Sequence, residues 1–210
     1  MTLIRAEALR EALSHPEIEK RLAVTPLLED SQIGPASIDL RLGSEFKTLR
    51  RVARPGIDPA VLRNLQPSEL TDDVRMRFGE SFWLHPGQFV LGATLEYLRL
   101  PRTMGGYVQG RSSWGRVGLI VATAVIVQPG YRGCLTLELV NEGETPIGLY
   151  PGVRIAQIAL HWLDAQTEHP DALSGGRYFG ATAPLAAKLE KESDEIARLQ
   201  RLGGALRVTP

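Results

Sequence analysis

Cysteine and histidine are scarce in this chain of 210 residues, which has one cysteine and four histidines. A single cysteine, Cys134, excludes a disulfide framework within one chain, and the low count is typical of a reducing cytosol. Its place at the start of an apolar segment indicates a small core residue. Cysteine and histidine ligands of zinc stand at short, regular spacings, and the four histidines show no such pair: His15, His85, His161 and His169. The composition therefore argues against a zinc site.

Net charge is also missing, because 24 Lys and Arg residues balance 24 Asp and Glu residues. The chain therefore has no global attraction to nucleic acid or to an anionic membrane, although a local cationic site for a small anion remains open. No apolar run reaches transmembrane length, and the N-terminal MTLIRAEALREAL carries acids and bases throughout. We expect a cytoplasmic protein that binds neither nucleic acid nor membranes.

The chain has short apolar runs separated by Gly and Pro instead of long ones. From Phe82 onward this pattern favours an all-β sandwich or barrel, with later strands at 147–149 and 153–163. Leu3–Leu13 and Pro16–Leu22 are predicted to be short N-terminal helices.

The C-terminal part has a different pattern. Residues Leu185–Leu202 are predicted to form an amphipathic helix, which Gly203-Gly204 can end. This helix packs either on its own domain or against a neighbour in an oligomer. We expect one β domain with N-terminal helices at 1–180 and a helical extension at 181–210.

The segment 110–152 is the most informative. It opens with a cluster of small, polar and cationic residues, hereafter the 110–116 patch: Gly110, Arg111, Ser112, Ser113, Gly115 and Arg116. Glycine allows close approach of a ligand, hydroxyls can donate, and guanidinium groups pair with phosphate. The patch lacks the lysine of a P-loop and the G-x-S-x-G of a nucleophile elbow.

A buried strand is predicted at Leu119–Val127, followed by turn residues and by the strand LTLELV at 135–140. Alternation places Leu135, Leu137 and Leu139 on one face and Glu138 on the other. Two interpretations of Glu138 stay open. It lies either on the solvated face of an antiparallel sheet or inside a pocket near the 110–116 patch.

Several motifs in one order resemble the dCTP deaminase branch of the dCTP deaminase/dUTPase superfamily: IGPASIDLRLG (33–43), LHPGQFVLGATLEYLRLP (84–101), GRSSWGRVGL, PGYRGCLTLEL and PIGLYPGVRIAQI. The resemblance covers the chain to about Leu160. It implies a mainly β fold, a distorted jelly-roll-like barrel of the dUTPase type. It also implies a homotrimer with active sites between subunits.

The resemblance also implies roles for individual residues. Glu138 matches the catalytic acid/base, and a phosphate-contacting motif matches Arg111, Ser112, Ser113 and Arg116. Further substrate-binding positions are Thr123, Ala124, Gln128, Arg177 and Tyr178. The substrate would be a pyrimidine deoxynucleotide whose triphosphate carries Mg²⁺, with no zinc and no other protein-bound metal.

The chain departs from the family pattern at four points. The His-x-Thr-Ala segment is one residue shorter and lacks the histidine, and Gln128 replaces the turn aspartate. In the tail, Asp171 and Ala181 stand where a tyrosine and a glutamine are usual.

From these features we expect deamination of dCTP to dUTP and ammonia, in pyrimidine deoxynucleotide metabolism, without dUTPase activity. An amide cannot act as a base. The alternatives are a non-catalytic nucleotide-binding or regulatory protein on the same fold, and a deaminase of a modified or less phosphorylated cytosine nucleotide.

Overall fold

The computed structural model describes residues 2–51, 56–60, 67–123, 126–169 and 178–206. The chain divides into two compact units. The first consists of Met1–Thr48 and Asp73–Leu185, and the second of Leu49–Asp72 and Ala186–Pro210. The domain boundary expected after residue 180 stays a prediction.

Strands dominate the first unit, as the alternation of short apolar runs and turns predicts. In chain order the strands are β1 (Ala23–Thr25), β2 (Ile38–Arg41), β3 (Glu45–Leu49), β4 (Thr71–Arg75), β5 (Phe82–Leu84), β6 (Phe89–Arg99), β7 (Met104–Gly110), β8 (Leu119–Val121), β9 (Ile126–Val127), β10 (Arg132–Asn141), β11 (Ile147–Leu149) and β12 (Arg154–Trp162).

The strands of the described ranges form three sheets. One has the order β4-β3-β6-β10-β8, with β1 also paired to β6; a second has the order β2-β12-β7-β9; the third is the pair β11-β5. The strand pairs with described registers are all antiparallel. The mainly β fold predicted from the sequence is confirmed.

The core lies under the long strands. The leucines at 137 and 139 of β10 are fully buried, together with Phe46 of β3 and Ile38 and Leu40 of β2. The alternation predicted for β10 is thus confirmed, because Leu135, Leu137 and Leu139 are buried while Thr136 and Glu138 are half-buried. Cys134 is buried, as a core residue should be.

Helices are short in the first unit: α1 (Ala6–Leu13) and α3 (Ser112–Gly115), with single 3₁₀ turns at Ile18–Lys20 and Asp30–Gln32. The prediction of a second N-terminal helix at 16–22 is wrong, because this segment forms only the 3₁₀ turn at Ile18–Lys20.

The prediction of one buried strand at 119–127 is also wrong. Leu119–Val121 pairs with β10 in one sheet, whereas Ile126–Val127 pairs with β7 in another, so the apolar run crosses between two sheets.

The second unit contains α2 (Pro67–Leu70) and α4 (Glu190–Leu206). Helix α4 starts five residues later than Leu185, the predicted start, because residues before it continue an extended tail. The Leu185 N–H donates to the Thr136 Oγ1, 3.2 Å away. The helix also continues through Gly203-Gly204, which costs about 1 kcal/mol per glycine relative to alanine but does not end a helix. No helix within the described residues is long and apolar enough to cross a membrane.

Candidate active site

Glu138 lies in the middle of β10, between β6 and β8. Its backbone joins it to the segment after β8: the Glu138 N–H donates to the Thr123 Oγ1 at 2.9 Å, and the Ala122 N–H donates to the Glu138 carbonyl at 2.8 Å. These two hydrogen bonds place the Thr123 hydroxyl beside Glu138. The Thr123 oxygen accepts from the backbone, and its own O–H, which has no hydrogen-bond acceptor among the described residues, can donate toward a ligand.

The Glu138 side chain is half-buried, and burial raises the pKa of its carboxyl above the ordinary value. Within the described part of the chain, no hydrogen bond or ion pair engages this carboxyl. A carboxyl that is held away from cations and partly desolvated is suited to proton transfer near neutral pH. The pocket role of Glu138 stays a prediction.

The 110–116 patch begins where β7 ends. At Gly110 a side chain would crowd β8, because an added Cβ would lie 3.1 Å from the Val121 Cγ2. Glycine at this position lets the end of β7 approach β8, and α3 also contacts β8. β8 leads directly to Thr123. The segment 119–123 therefore contacts both the 110–116 patch, through Val121, and Glu138, through Thr123.

The hydroxyl and guanidinium groups of the patch differ in their surroundings. Ser112, Ser113 and Arg116 are exposed, and the described residues provide no ion-pair partner for Arg116. Arg111, in contrast, is restrained: its NH1 lies 3.3 Å from the Asp39 Oδ2, and the Asp39 side chain is only 16% exposed. The patch thus combines the Arg111 guanidinium, which Asp39 orients, with the exposed Arg116 guanidinium, which can bind an anion.

Asp39 is a residue that sequence reasoning missed. Its carboxylate accepts a hydrogen bond from the Arg154 NH1, 3.3 Å from the Asp39 Oδ2, and forms an ion pair with Arg111 through the same oxygen. Arg154 is held in turn by Glu29 and Ser31. The sequence places Asp39 on the polar face of a half-buried strand. Its contact with Arg111 depends on the sheet order β2-β12-β7, which the sequence does not reveal.

The other predicted site residues are less closely associated. Gln128 is exposed in the turn after β9, and its carbonyl accepts from the Tyr131 N–H at 3.2 Å. No described contact joins Gln128 to Glu138. Ala124 and Arg177 lie outside the described residues, as does Asp171.

Tyr178 begins a tail that runs along β10. The Gly180 N–H donates to the Arg132 carbonyl at 2.8 Å, and the Cys134 N–H donates to the Ala181 carbonyl at 2.7 Å. With the Leu185–Thr136 contact, these bonds lead the tail along β10 toward Glu138. Tyr178 itself is partly exposed, and its predicted role in closing over phosphates stays a prediction.

Among the described residues no group of three or more His, Cys, Asp or Glu side chains could hold a metal ion. The expectation that the reaction needs no zinc stays a prediction.

Comparison with known proteins decides the family. Residues 8–163 match the dCTP deaminase-like family. This chain belongs to the dCTP deaminase family.

Two relatives in the dCTP deaminase family illustrate the match. A Natronomonas pharaonis protein named dCTP deaminase is 40% identical over 190 residues, which cover 87% of this chain and 96% of the relative. A Dictyoglomus turgidum protein named "dCTP deaminase, dUMP-forming" is 41% identical over 174 residues, which cover 81% of this chain and 88% of the relative.

A solved structure agrees with this membership. The crystal structure of 2'-deoxycytidine 5'-triphosphate deaminase from Agrobacterium tumefaciens is similar with a TM-score of 0.57 and 27% identity. The similarity covers 75% of this chain and 46% of that one, so the chain spans less than half of its length.

Proposed function

We propose that this protein catalyses the hydrolytic deamination of dCTP to dUTP and ammonia. The observation that carries the proposal is Glu138 itself: its side chain is half-buried, burial raises the pKa of its carboxyl, and its backbone N–H donates to the Thr123 hydroxyl oxygen. The relatives named dCTP deaminase support the choice of substrate.

The reaction needs one group that can both accept and donate a proton. In our proposal the Glu138 carboxylate removes a proton from water, and the resulting hydroxide adds to C4 of cytosine. As hydroxide adds, N3 takes the electron pair of the C4–N3 double bond. The protonated Glu138 then transfers its proton to the amino group, the bond from C4 to that group breaks to release ammonia, and the proton of the added hydroxyl passes to N3 to give uracil. A pKa above the ordinary carboxyl value serves both steps, since the same group must give back the proton that it takes.

The triphosphate is recognised by the 110–116 patch. Arg116 supplies a guanidinium that has no ion-pair partner among the described residues. The Ser112 and Ser113 hydroxyls are exposed, and Asp39 holds the Arg111 guanidinium in one orientation. Guanidinium groups bind phosphate through two parallel N–H donors, so an oriented arginine loses less conformational freedom on binding. Mg²⁺ enters with the nucleotide, coordinated by the oxygens of its phosphates.

The released product is dUTP in this proposal. Hydrolysis of dUTP needs a carboxylate to orient and deprotonate water, and Gln128 offers an amide at the turn that matches the family's aspartate. The rival product is dUMP, which is favoured by relatives named "dCTP deaminase, dUMP-forming", among them the 41% identical Dictyoglomus turgidum protein.

The oligomeric state and the cellular location are also part of the proposed function. We infer a cytoplasmic homotrimer with sites between subunits, which light scattering of the purified protein would test. The two other functions that we weigh are a non-catalytic nucleotide-binding protein and a deaminase of a modified or less phosphorylated cytosine nucleotide.

One experiment separates these functions. Purified protein and Mg²⁺ are incubated with dCTP, dCMP, 5-methyl-dCTP and, separately, dUTP, and ammonia and nucleotide products are measured. We expect ammonia from dCTP, accumulation of dUTP and no conversion of dUTP to dUMP. Binding of dCTP without ammonia would identify the non-catalytic function. Formation of dUMP from dUTP would show that water is activated by a group other than Gln128.

The metal requirement is tested on the same sample. Elemental analysis should find no stoichiometric zinc, and activity lost on chelation should return fully with Mg²⁺. Activity that returns only with zinc would contradict this part of the proposal.

A further inference from the structure

A second cationic region lies at the opposite end of β10 from the 110–116 patch. A cavity of about 220 Å³ opens there, hereafter the arginine cavity. Its charged lining consists of Arg99 at the end of β6, Arg102 in the following turn, Arg132 at the start of β10, and Glu19. The rest of the lining is Leu100, Pro101 and Gly130. Three guanidinium groups therefore face one carboxylate.

The two strands of this region bring like charges together. Arg132 is the direct partner of Arg99 in the antiparallel pairing of β10 with β6. Like charges directly opposite each other destabilise a sheet, so an anion between them is favourable. Glu19 supplies part of that charge, with its carboxylate oxygens 3.2 Å from the Arg99 NH2 and 3.9 Å from the Arg132 NH2.

Glu19 is a weak partner for this task. Its side chain is 79% exposed, and ion pairs at such exposure contribute little because water and salt screen them. Arg102 has a distant partner of its own, Glu168, whose Oε2 lies 3.8 Å from the Arg102 NH1. Among the described residues, three guanidinium groups thus stand beside two exposed carboxylates, which leaves an excess of positive charge in a concave surface.

The arginine side chains are held in place. Arg99 is only 21% exposed, and the Arg132 guanidinium lies over the Phe179 ring, 5.9 Å from its centroid. Such contacts restrict a guanidinium and lower the entropy lost when it binds a ligand. The cavity is therefore preorganised rather than a set of mobile surface charges.

We propose that the arginine cavity binds the phosphate group of an anionic ligand. Guanidinium forks match phosphate oxygens, and the excess positive charge of the arginines favours an anion. The cavity is smaller than the roughly 300–1,000 Å³ of sites that enclose a whole organic ligand, so it takes a phosphate or diphosphate group. Arg132 lies six residues before Glu138 on the same strand, about 20 Å away at the rise of a β-strand, so this site is separate from Glu138. It neighbours the predicted substrate-binding residues Gln128 and Tyr178, through Gly130 and Phe179.

Pyrophosphate binding to the full-length protein, measured by calorimetry, tests the proposal. The Arg111→Gln/Arg116→Gln background removes binding at the 110–116 patch. In that background we expect Arg99→Gln/Arg132→Gln to weaken pyrophosphate binding by about tenfold or more. Glu19→Gln should strengthen it, because the competing carboxylate is gone. Arg75→Gln, an exposed arginine near Glu45, is the matched control and should change nothing.

The opposite signs of the two cavity variants keep the test decisive, since a folding defect would lower binding in both. Unchanged affinity in the folded Arg99→Gln/Arg132→Gln protein, or weaker binding in Glu19→Gln, would overturn the proposal. A second titration with dAMP identifies the source of the phosphate. Inorganic phosphate is titrated for comparison. If dAMP binds more tightly than inorganic phosphate and Arg99→Gln/Arg132→Gln weakens its binding, the ligand is a nucleotide. If the two bind equally and the same variant weakens both, the ligand is free phosphate.

Discussion

The 110–116 patch and the arginine cavity both contain arginines beside a carboxylate, but the carboxylates differ. Asp39, which holds Arg111, is 16% exposed and bridges to a second arginine, whereas Glu19 in the cavity is 79% exposed. A shielded carboxylate orients a guanidinium persistently, while an exposed one is readily displaced by another anion. The patch is therefore built to position a guanidinium, and the cavity to accept an anion in place of Glu19.

The largest expected effect separates chemistry from anion binding. Glu138→Gln should lower the turnover of dCTP by about 10²–10⁴-fold, because an amide cannot transfer the proton. Affinity for dCTP and pyrophosphate binding at the arginine cavity should both persist. Ammonia release and calorimetry measure the two properties on one sample. Glu142→Gln, an exposed carboxylate just beyond β10, is the matched control, and a Glu138→Gln protein with wild-type turnover would refute the assigned role.

The next effect tests whether the 110–116 patch and the arginine cavity bind different ligands. Arg116→Ala should weaken dCTP binding by roughly 10–100-fold, the loss of one charge-assisted contact. Arg99→Ala should leave dCTP binding unchanged, since it lies in the other region. Equilibrium binding of dCTP to each variant gives the answer. Equal losses in both variants would mean that the two regions act as one site.

A smaller effect is expected at Asp39. Asp39→Asn keeps the shape but removes the charge that orients Arg111, so we expect the KM for dCTP to rise by about fivefold while kcat changes little. This split distinguishes a positioning residue from a general loss of folding, which would lower the active fraction and hence kcat. The control is Asp30→Asn, which removes the exposed partner of Arg10. A lower kcat with an unchanged KM would contradict this role.

The smallest effect concerns stability. Burial raises the pKa of the Glu138 carboxyl, so its charged form is less favourable in the folded than in the unfolded chain. The resulting cost is absent below the unfolded pKa, grows as the pH rises from there, and is complete above the folded pKa. Glu138→Gln should therefore raise the melting temperature by roughly 1–3 °C at pH 8. The difference should vanish at low pH, and a difference of the same size at every pH would contradict this cause.

The extent to which sequence predicted the structure differs among elements. The alternation of β10 correctly placed three leucines in the core and Glu138 on the other face, because the period of a strand is a local property. Strand β11 was also predicted with its observed bounds. The apolar run 119–127 was misjudged, because hydrophobicity does not show that a segment leaves one sheet for another.

For the candidate site, the residue types and the family could be predicted from the sequence, because the motifs are contiguous. The sequence by itself determined that Glu138 faces away from the leucines, and that the 110–116 patch carries hydroxyls and guanidinium groups suited to phosphate. Only the tertiary structure decided that Thr123 lies against Glu138, that Asp39 holds Arg111, and that Arg99 faces Arg132. The reason is physical. Alternation and composition follow from neighbours along the chain, whereas these pairings depend on which strands lie side by side and in which register.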